Sequence, residues 1–326
     1  MKRKNVMMYT IISVAIVGLV LAILYFYFAY APSPKEPQLS STIKREEIIS
    51  GKSTRTYLSY HAKNTGPSPA LLIVLHGTGI DGEKIRAWTG YEFDEMADRY
   101  GFFVAYLDGY KGDWNDSRKG EFSETKKKKV NDVKFIRDVI SRYENKFHVN
   151  PAKIYVFGYS SGGTMAFRMA TENPQMLAGI ATVSSQLPIP EQSICTLPDN
   201  LPKALLVHGS GDSICPVNGG ELKLFGRKLG FVMSANATAQ QFAQRNGIKG
   251  EPIKTRLPHL DVDDPTTVDS YVWSVANKTI VQQYIINGGG HVIPQPSVQF
   301  PRILGRKSGD LNVPEKVVEF FGLQHK

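Results

Sequence analysis

Residues 158–163 read Gly158-Tyr159-Ser160-Ser161-Gly162-Gly163, between the strand-like run Lys153 to Phe157 and the helix-like run Thr164 to Thr171. A serine on so tight a strand-to-helix turn has a strained backbone and an exposed hydroxyl, and glycines are needed where the turn crowds its neighbours. That is the setting of a nucleophile. Ser160 would then need a base to take its proton, an acid to hold that base, and N–H donors for the charge that builds on the attacked oxygen.

Asp212 lies in His208-Gly209-Ser210-Gly211-Asp212, just past the apolar run Ala204 to Val207, where a loop at a strand's carboxyl end can present a carboxylate. The rival acids Asp261, Asp263, Asp264 and Asp269 fall in a stretch that reads as a surface loop. For the base, His291 follows Asn287-Gly288-Gly289-Gly290, directly after the last strand-like run, and those glycines suit a loop that must approach the serine turn closely. Its rival His259 has no obvious strand before it. His76 and His208 each precede a glycine at a strand end and are expected to order their turns through backbone hydrogen bonds. His61 and His148 have no supporting context. The expected oxyanion donors are the amide of Ser161 and one from His76-Gly77-Thr78-Gly79, taken as that of Thr78. The sequence has no HExxH, no paired cysteines at zinc spacing and no dinucleotide fingerprint, so the expected chemistry needs no metal and no cofactor.

Positioning such groups calls for alternating strands and helices. Residues 55–61, 70–75, 102–107, 153–157, 180–183, 204–207 and 280–286 read as strands, and those from Ala70 onward are mostly uninterrupted apolar runs, as in strands covered on both faces. Residues 93–100, 132–143, 164–171, 235–246 and 314–321 read as helices. This order predicts one α/β domain over 42–326 with a mostly parallel, doubly wound sheet, and Lys249 to Ser274 as an irregular insertion. The order serine, acid, histidine along the chain is that of the α/β-hydrolase fold.

The N-terminus stands apart. Met1-Lys2-Arg3-Lys4-Asn5 is basic, and Val6 to Tyr30 carries no charge, which is long enough to span a bilayer. Residues 1–31 therefore have two possible fates. Length favours a retained signal anchor; Ala29-Tyr30-Ala31 has the small-x-small form of a signal-peptide cleavage site, although Pro32 follows it. The basic residues before the span should stay cytoplasmic and the aromatic run from Tyr25 to Tyr30 suits the far interface. The catalytic part is then outside the cytoplasm, tethered to the membrane, or secreted if the chain is cut after Ala31. Residues 32–41 read as an extended, proline-rich linker. In an oxidising compartment the only two cysteines, Cys195 and Cys215, form either a disulfide or two unpaired thiols.

The formal charge is +9, and Lys126 to Lys129 form a basic run that reads as a solvated loop before an amphipathic segment. No nucleic-acid motif accompanies it. The expected partners are an ester substrate, small or polymeric, and a membrane through the N-terminal segment.

Taken together, the sequence resembles the esterase family that contains extracellular polyhydroxybutyrate depolymerases and feruloyl esterases. The resemblance runs from about Leu71 to Phe321. It rests on Leu75-His76-Gly77, Asp113-Trp114-Asn115, Asp132-Val133, Val149-Asn150-Pro151, residues 158–163, His208-Gly209 with Asp212, and Gly289-Gly290-His291. It implies a Ser-Asp-His triad, which falls on Ser160, Asp212 and His291, and a carboxylic ester hydrolase working through an acyl-enzyme. It also implies that Trp114 and Asn115 line or support the substrate site. Where the family often has tryptophan and proline soon after the histidine, this chain reads His291-Val292-Ile293-Pro294, so that wall of the pocket should differ. A peptidase on the same fold, or a tethered scaffold that binds without catalysis, are the alternatives.

Overall fold

The computed structural model describes residues 2–260 and 262–324; Asp261, one of the rival acids, lies outside them, as do the side chains of the basic residues that open the chain. Helix α1 (Lys2–Leu24) runs into a π-helical turn, Tyr25–Ala29. Within it Thr10–Ala29 is an apolar span of 20 residues with nothing buried against the protein, about 30 Å at 1.5 Å per residue. This one apolar helix fits a signal or transmembrane segment. The segment that follows is less free than its prolines imply. Glu36 pairs with the buried Arg86, and the Ser40 amide donates to Asp98 at 2.7 Å.

The remaining elements in chain order are β1 (Lys44–Ser50), β2 (Ser53–His61), β3 (Leu71–Leu75), α2 (Gly82–Trp88), α3 (Glu92–Tyr100), β4 (Phe103–Leu107), α4 (Glu124–Lys127), α5 (Asp132–Phe147), β5 (Ile154–Tyr159), α6 (Ser161–Glu172), β6 (Gly179–Val183), β7 (Lys203–Gly209), β8 (Gly220–Leu224), β9 (Arg227–Val232), α7 (Ala235–Arg245), β10 (Ile253–Arg256), β11 (Thr267–Val275), β12 (Lys278–Asn287) and α8 (Val313–Phe321). Ten strands make one sheet in the order β1-β2-β4-β3-β5-β6-β7-β12-β11-β10. From β4 to β12 all neighbours are parallel, whereas β1, β2, β11 and β10 pair antiparallel at the two edges. The mostly parallel, doubly wound sheet expected from the sequence is therefore the fold.

The central strands are apolar on both faces because both faces are covered. Ile73, Val156 and Leu206 point into one core with Phe135, Phe167 and Phe242 from α5, α6 and α7. Leu72, Phe157 and Leu205 point into the other with Phe93, Val317 and Phe321 from α3 and α8. Short parallel strands joined by helices leave the loops at their carboxyl ends gathered on one rim, where such folds bind ligands.

Two sequence expectations need correction. Lys249 to Ser274 is not an irregular insertion: it holds β10 and most of β11, which extend the sheet past β12. Asp269 is accordingly no loop acid but a β11 residue held by Arg256 at 2.8 Å. The basic run is likewise not uniformly solvated. Lys126 is buried in α4, where its ammonium meets Asp116 at 2.9 Å and the Asp116 carbonyl at 3.1 Å. The other three lysines are exposed.

Candidate active site

β5 ends at Tyr159 and α6 begins at Ser161, leaving Ser160 alone on the turn with φ 53° and ψ −120°. This is left-handed backbone that a residue with a Cβ rarely adopts. The surroundings enforce it. The Ser160 amide donates to the Val183 carbonyl at 2.9 Å, and its own carbonyl accepts from the Gly163 amide at 2.9 Å and from the Ser185 hydroxyl. The glycines make the turn physically possible: a Cβ on Gly158 would be driven into the Gly162 carbonyl, and one on Gly162 into the Leu75 carbonyl. Since both obstacles are backbone, Gly158→Ala is expected to lower stability by about 2 kcal/mol or more, measured as a shifted denaturation midpoint; an unchanged midpoint would show that the turn can relax.

Asp212 and His291 arrive from the ends of β7 and β12, neighbours in the sheet. His291 Nε2 lies 2.9 Å from Ser160 Oγ, and its Nδ1 lies 2.7 Å from Asp212 Oδ2. The carboxylate can only accept, so Nδ1 carries the proton and the Nε2 lone pair is left for the serine hydroxyl. Asp212 is itself fixed, its Oδ1 accepting from the amides of Ile214 and Cys215, each at 2.8 Å. Burial pushes this carboxyl up, but His291 and the two amides outweigh it and hold it below the ordinary aspartate range. The His291 backbone is pinned as well, its amide donating to the Leu304 carbonyl at 2.6 Å and its carbonyl accepting from the Tyr159 hydroxyl at 2.8 Å.

Thr78 and Ser161 both line the cavity in front of Ser160. Ser161 opens α6, and the first amide of a helix has no partner within it, so its N–H is left available at the cavity. Thr78 is steadied by its hydroxyl, which donates to Asp113 Oδ1 at 3.2 Å. His76 behaves as expected: its Nδ1 faces the Gly77 carbonyl at 2.7 Å and its Nε2 accepts from the Gly109 amide at 2.8 Å.

Trp114, Asn115, His259 and Cys195 do not line this cavity. Trp114 is fully buried and outside the cavity, its indole N–H donating to the His76 carbonyl at 2.8 Å. It braces the loop that carries Thr78, the supporting one of its two expected roles. Asn115 lines a neighbouring cavity instead, its side chain donating to the Val130 carbonyl at 2.9 Å. His259 meets Asp310 at 2.8 Å, far along the chain from the serine turn. Cys195 and Cys215 are unpaired thiols, Cys195 beside Glu172 and Cys215 donating to Gln186. Tyr159, Ser185 and Gln186 were not anticipated as site residues; only Tyr159, inside the serine motif, carried a signal.

His208 departs most from expectation. It is buried on the sheet with neither ring nitrogen hydrogen-bonded among the described residues. Burial lowers its pKa from 6.5 to about 4, the charge of Asp212 offsetting only part of this. A histidine kept neutral in the fold is protonated first in the unfolded chain, so its contribution is intact above about pH 6.5 and is lost as the pH falls toward 4. Between pH 7 and 4 the protein is expected to lose about 3 kcal/mol more stability than its His208→Leu variant, read from denaturation midpoints at both pH values; parallel losses would refute the buried neutral imidazole.

The cavity at Ser160 has a volume of about 270 Å³. Its walls are mostly apolar, with Ile80, Trp88, Ile214, Leu222 and Leu229 among them, and Arg118 is its one basic side chain besides His291. Among the described residues no cluster of ligands could hold a metal ion.

The phospholipase/carboxylesterase family profile matches residues 62–224, half of the chain. NocK of Nocardia uniformis subsp. tsuyamanensis, a protein named as an esterase, is 26% identical over 302 residues, covering 89% of this chain and 86% of that protein. Feruloyl esterase B of Piromyces equi is 27% identical over 70% of this chain, which spans only 40% of that longer protein. The solved acetyl xylan esterase from Aspergillus awamori superposes with a TM-score of 0.58 at 17% identity, over 87% of this chain and 100% of that one, a likeness of fold. The chain thus belongs to the phospholipase/carboxylesterase family of α/β-hydrolases and is a carboxylic ester hydrolase.

Proposed function

We propose that this protein is an extracytoplasmic serine esterase in which Ser160 is the nucleophile, His291 the general base and Asp212 the residue that orients it. The observation that carries the reading is the unbroken line from Asp212 Oδ2 through His291 to Ser160 Oγ, at 2.7 and 2.9 Å. His291 takes the serine proton as Oγ attacks the ester carbonyl, and Asp212 stabilises the imidazolium that results. The amides of Ser161 and Thr78 hold the oxyanion. The alcohol leaves with the proton from His291, and water releases the acid from the acyl-enzyme by the same route in reverse. The small apolar cavity suits a short or aromatic acyl group. In this reading α1 tethers the domain outside the membrane, or is removed after Ala31 on secretion.

The test is hydrolysis of p-nitrophenyl acetate, p-nitrophenyl butyrate and methyl ferulate by the full chain in neutral detergent, beside butyryl p-nitroanilide. Ester turnover with little anilide cleavage is the expected result. Faster cleavage of the anilide would favour a peptidase, and a folded protein inert on all the esters would contradict the reading.

A further inference from the structure

A second and larger cavity, about 880 Å³, opens beside the first, between residues 115–121, the start of α5 and the outer face of α6. Seven basic side chains line it against three acidic ones. Several of these are already paired: Lys134 with Asp138, Arg168 with Glu172, and Arg118 and Lys126 together with the buried Asp116. Lys129 and Arg137 are exposed and have no ion-pair partner among the described residues. The Lys119 ammonium donates to a backbone carbonyl, that of Glu191, so among the described lining residues the one carboxylate left against these three cations is Glu121. A concave wall with an excess of one sign of charge concentrates counter-charged ligands.

The groove shares a wall with the site. Arg118 lies in the walls of both cavities, and α6 has Ser161 at its first position and Arg168 seven residues on, about 10 Å along its axis. A ligand lying in the groove would pass within a few residues' length of Ser160.

We propose that this groove binds the anionic repeat units of a polymer and presents its ester substituents to Ser160. The proposal rests on the esterase reading above and names its substrate class. The step balances as ester hydrolysis: Oγ takes the acyl group, the polymer hydroxyl leaves with the proton held by His291, and water then releases the acid.

The test uses the full chain in neutral detergent and the double variant Lys129→Glu/Arg137→Glu, two exposed residues outside the catalytic machinery. Acetate release is measured from O-acetylated polygalacturonate and from O-acetylated dextran, and binding of unesterified polygalacturonate by calorimetry. At ~20 mM salt the parent is expected to favour the anionic polymer by about tenfold in kcat/KM, the preference fading as added salt screens the groove. The double variant should lose the preference and the binding while hydrolysing p-nitrophenyl butyrate as the parent does. Inorganic polyphosphate competing as well as polygalacturonate would extend the site to phosphate polymers; competition by polygalacturonate alone would restrict it to carboxylates. Failure of the parent to bind polygalacturonate, or equal rates on both polymers, would overturn the proposal. Neither result is confused with failure of the esterase reading, which p-nitrophenyl butyrate reports separately and binding does not require.

Discussion

Ser160→Ala is expected to lower kcat on p-nitrophenyl butyrate by about a millionfold while the protein stays folded. Only Oγ is removed, and its one hydrogen bond is to His291 Nε2 at 2.9 Å, at the wall of an open cavity where water can replace it. The strained turn is held through the Ser160 backbone, its amide donating to Val183 and its carbonyl accepting from the Gly163 amide and the Ser185 hydroxyl, none of which needs the Ser160 hydroxyl. Stability should therefore change by less than about 1 kcal/mol. Steady-state rates and a thermal melt check both halves; residual activity above one per cent in a folded variant would remove Ser160 from the chemistry.

Asp212→Asn should lower kcat by about 10⁴-fold with little change in KM. Asparagine preserves the shape, and its oxygen can still accept from the amides of Ile214 and Cys215 that now hold Oδ1 at 2.8 Å. Its NH₂ would face His291 Nδ1, however, and as a donor it forces the ring into the tautomer that carries its proton on Nε2. The base would then point a proton at Ser160 instead of a lone pair. The cost should fall on kcat, since the cavity walls that bind the acyl group are untouched. A loss of less than tenfold would mean that another group orients His291.

The serine turn was legible because its cause is local. Residues 158–163 fix a tight strand-to-helix joint by their own sizes, and the apolar runs of β3 to β7 announce strands covered on both faces. Asp212 and His291 were legible one step further, because each directly follows a strand. The edges of the sheet were not. β1 reads Lys-Arg-Glu-Glu-Ile-Ile-Ser and β10 reads Ile-Lys-Thr-Arg, strands whose charges suit an exposed edge and erase the apolar signal. For Trp114 the sequence leaves lining and supporting open, because whether an aromatic beside a loop faces ligand or braces backbone depends on the His76 carbonyl, 38 positions away. Lys126 departs from the solvated loop expected of its run for a similar reason: its partner Asp116 sits ten residues back, across a turn whose path no periodicity reveals. The unpartnered ring of His208 is a fact of packing alone.

The central claim is that Ser160 is the one activated nucleophile, and reaction with a fluorophosphonate followed by peptide mapping tests it most directly. The account predicts a single adduct on the peptide containing Ser160, formed rapidly at neutral pH, absent from Ser160→Ala and slowed by butyrate esters that compete for the cavity. An adduct on any other residue, or none on the folded parent protein, would contradict it.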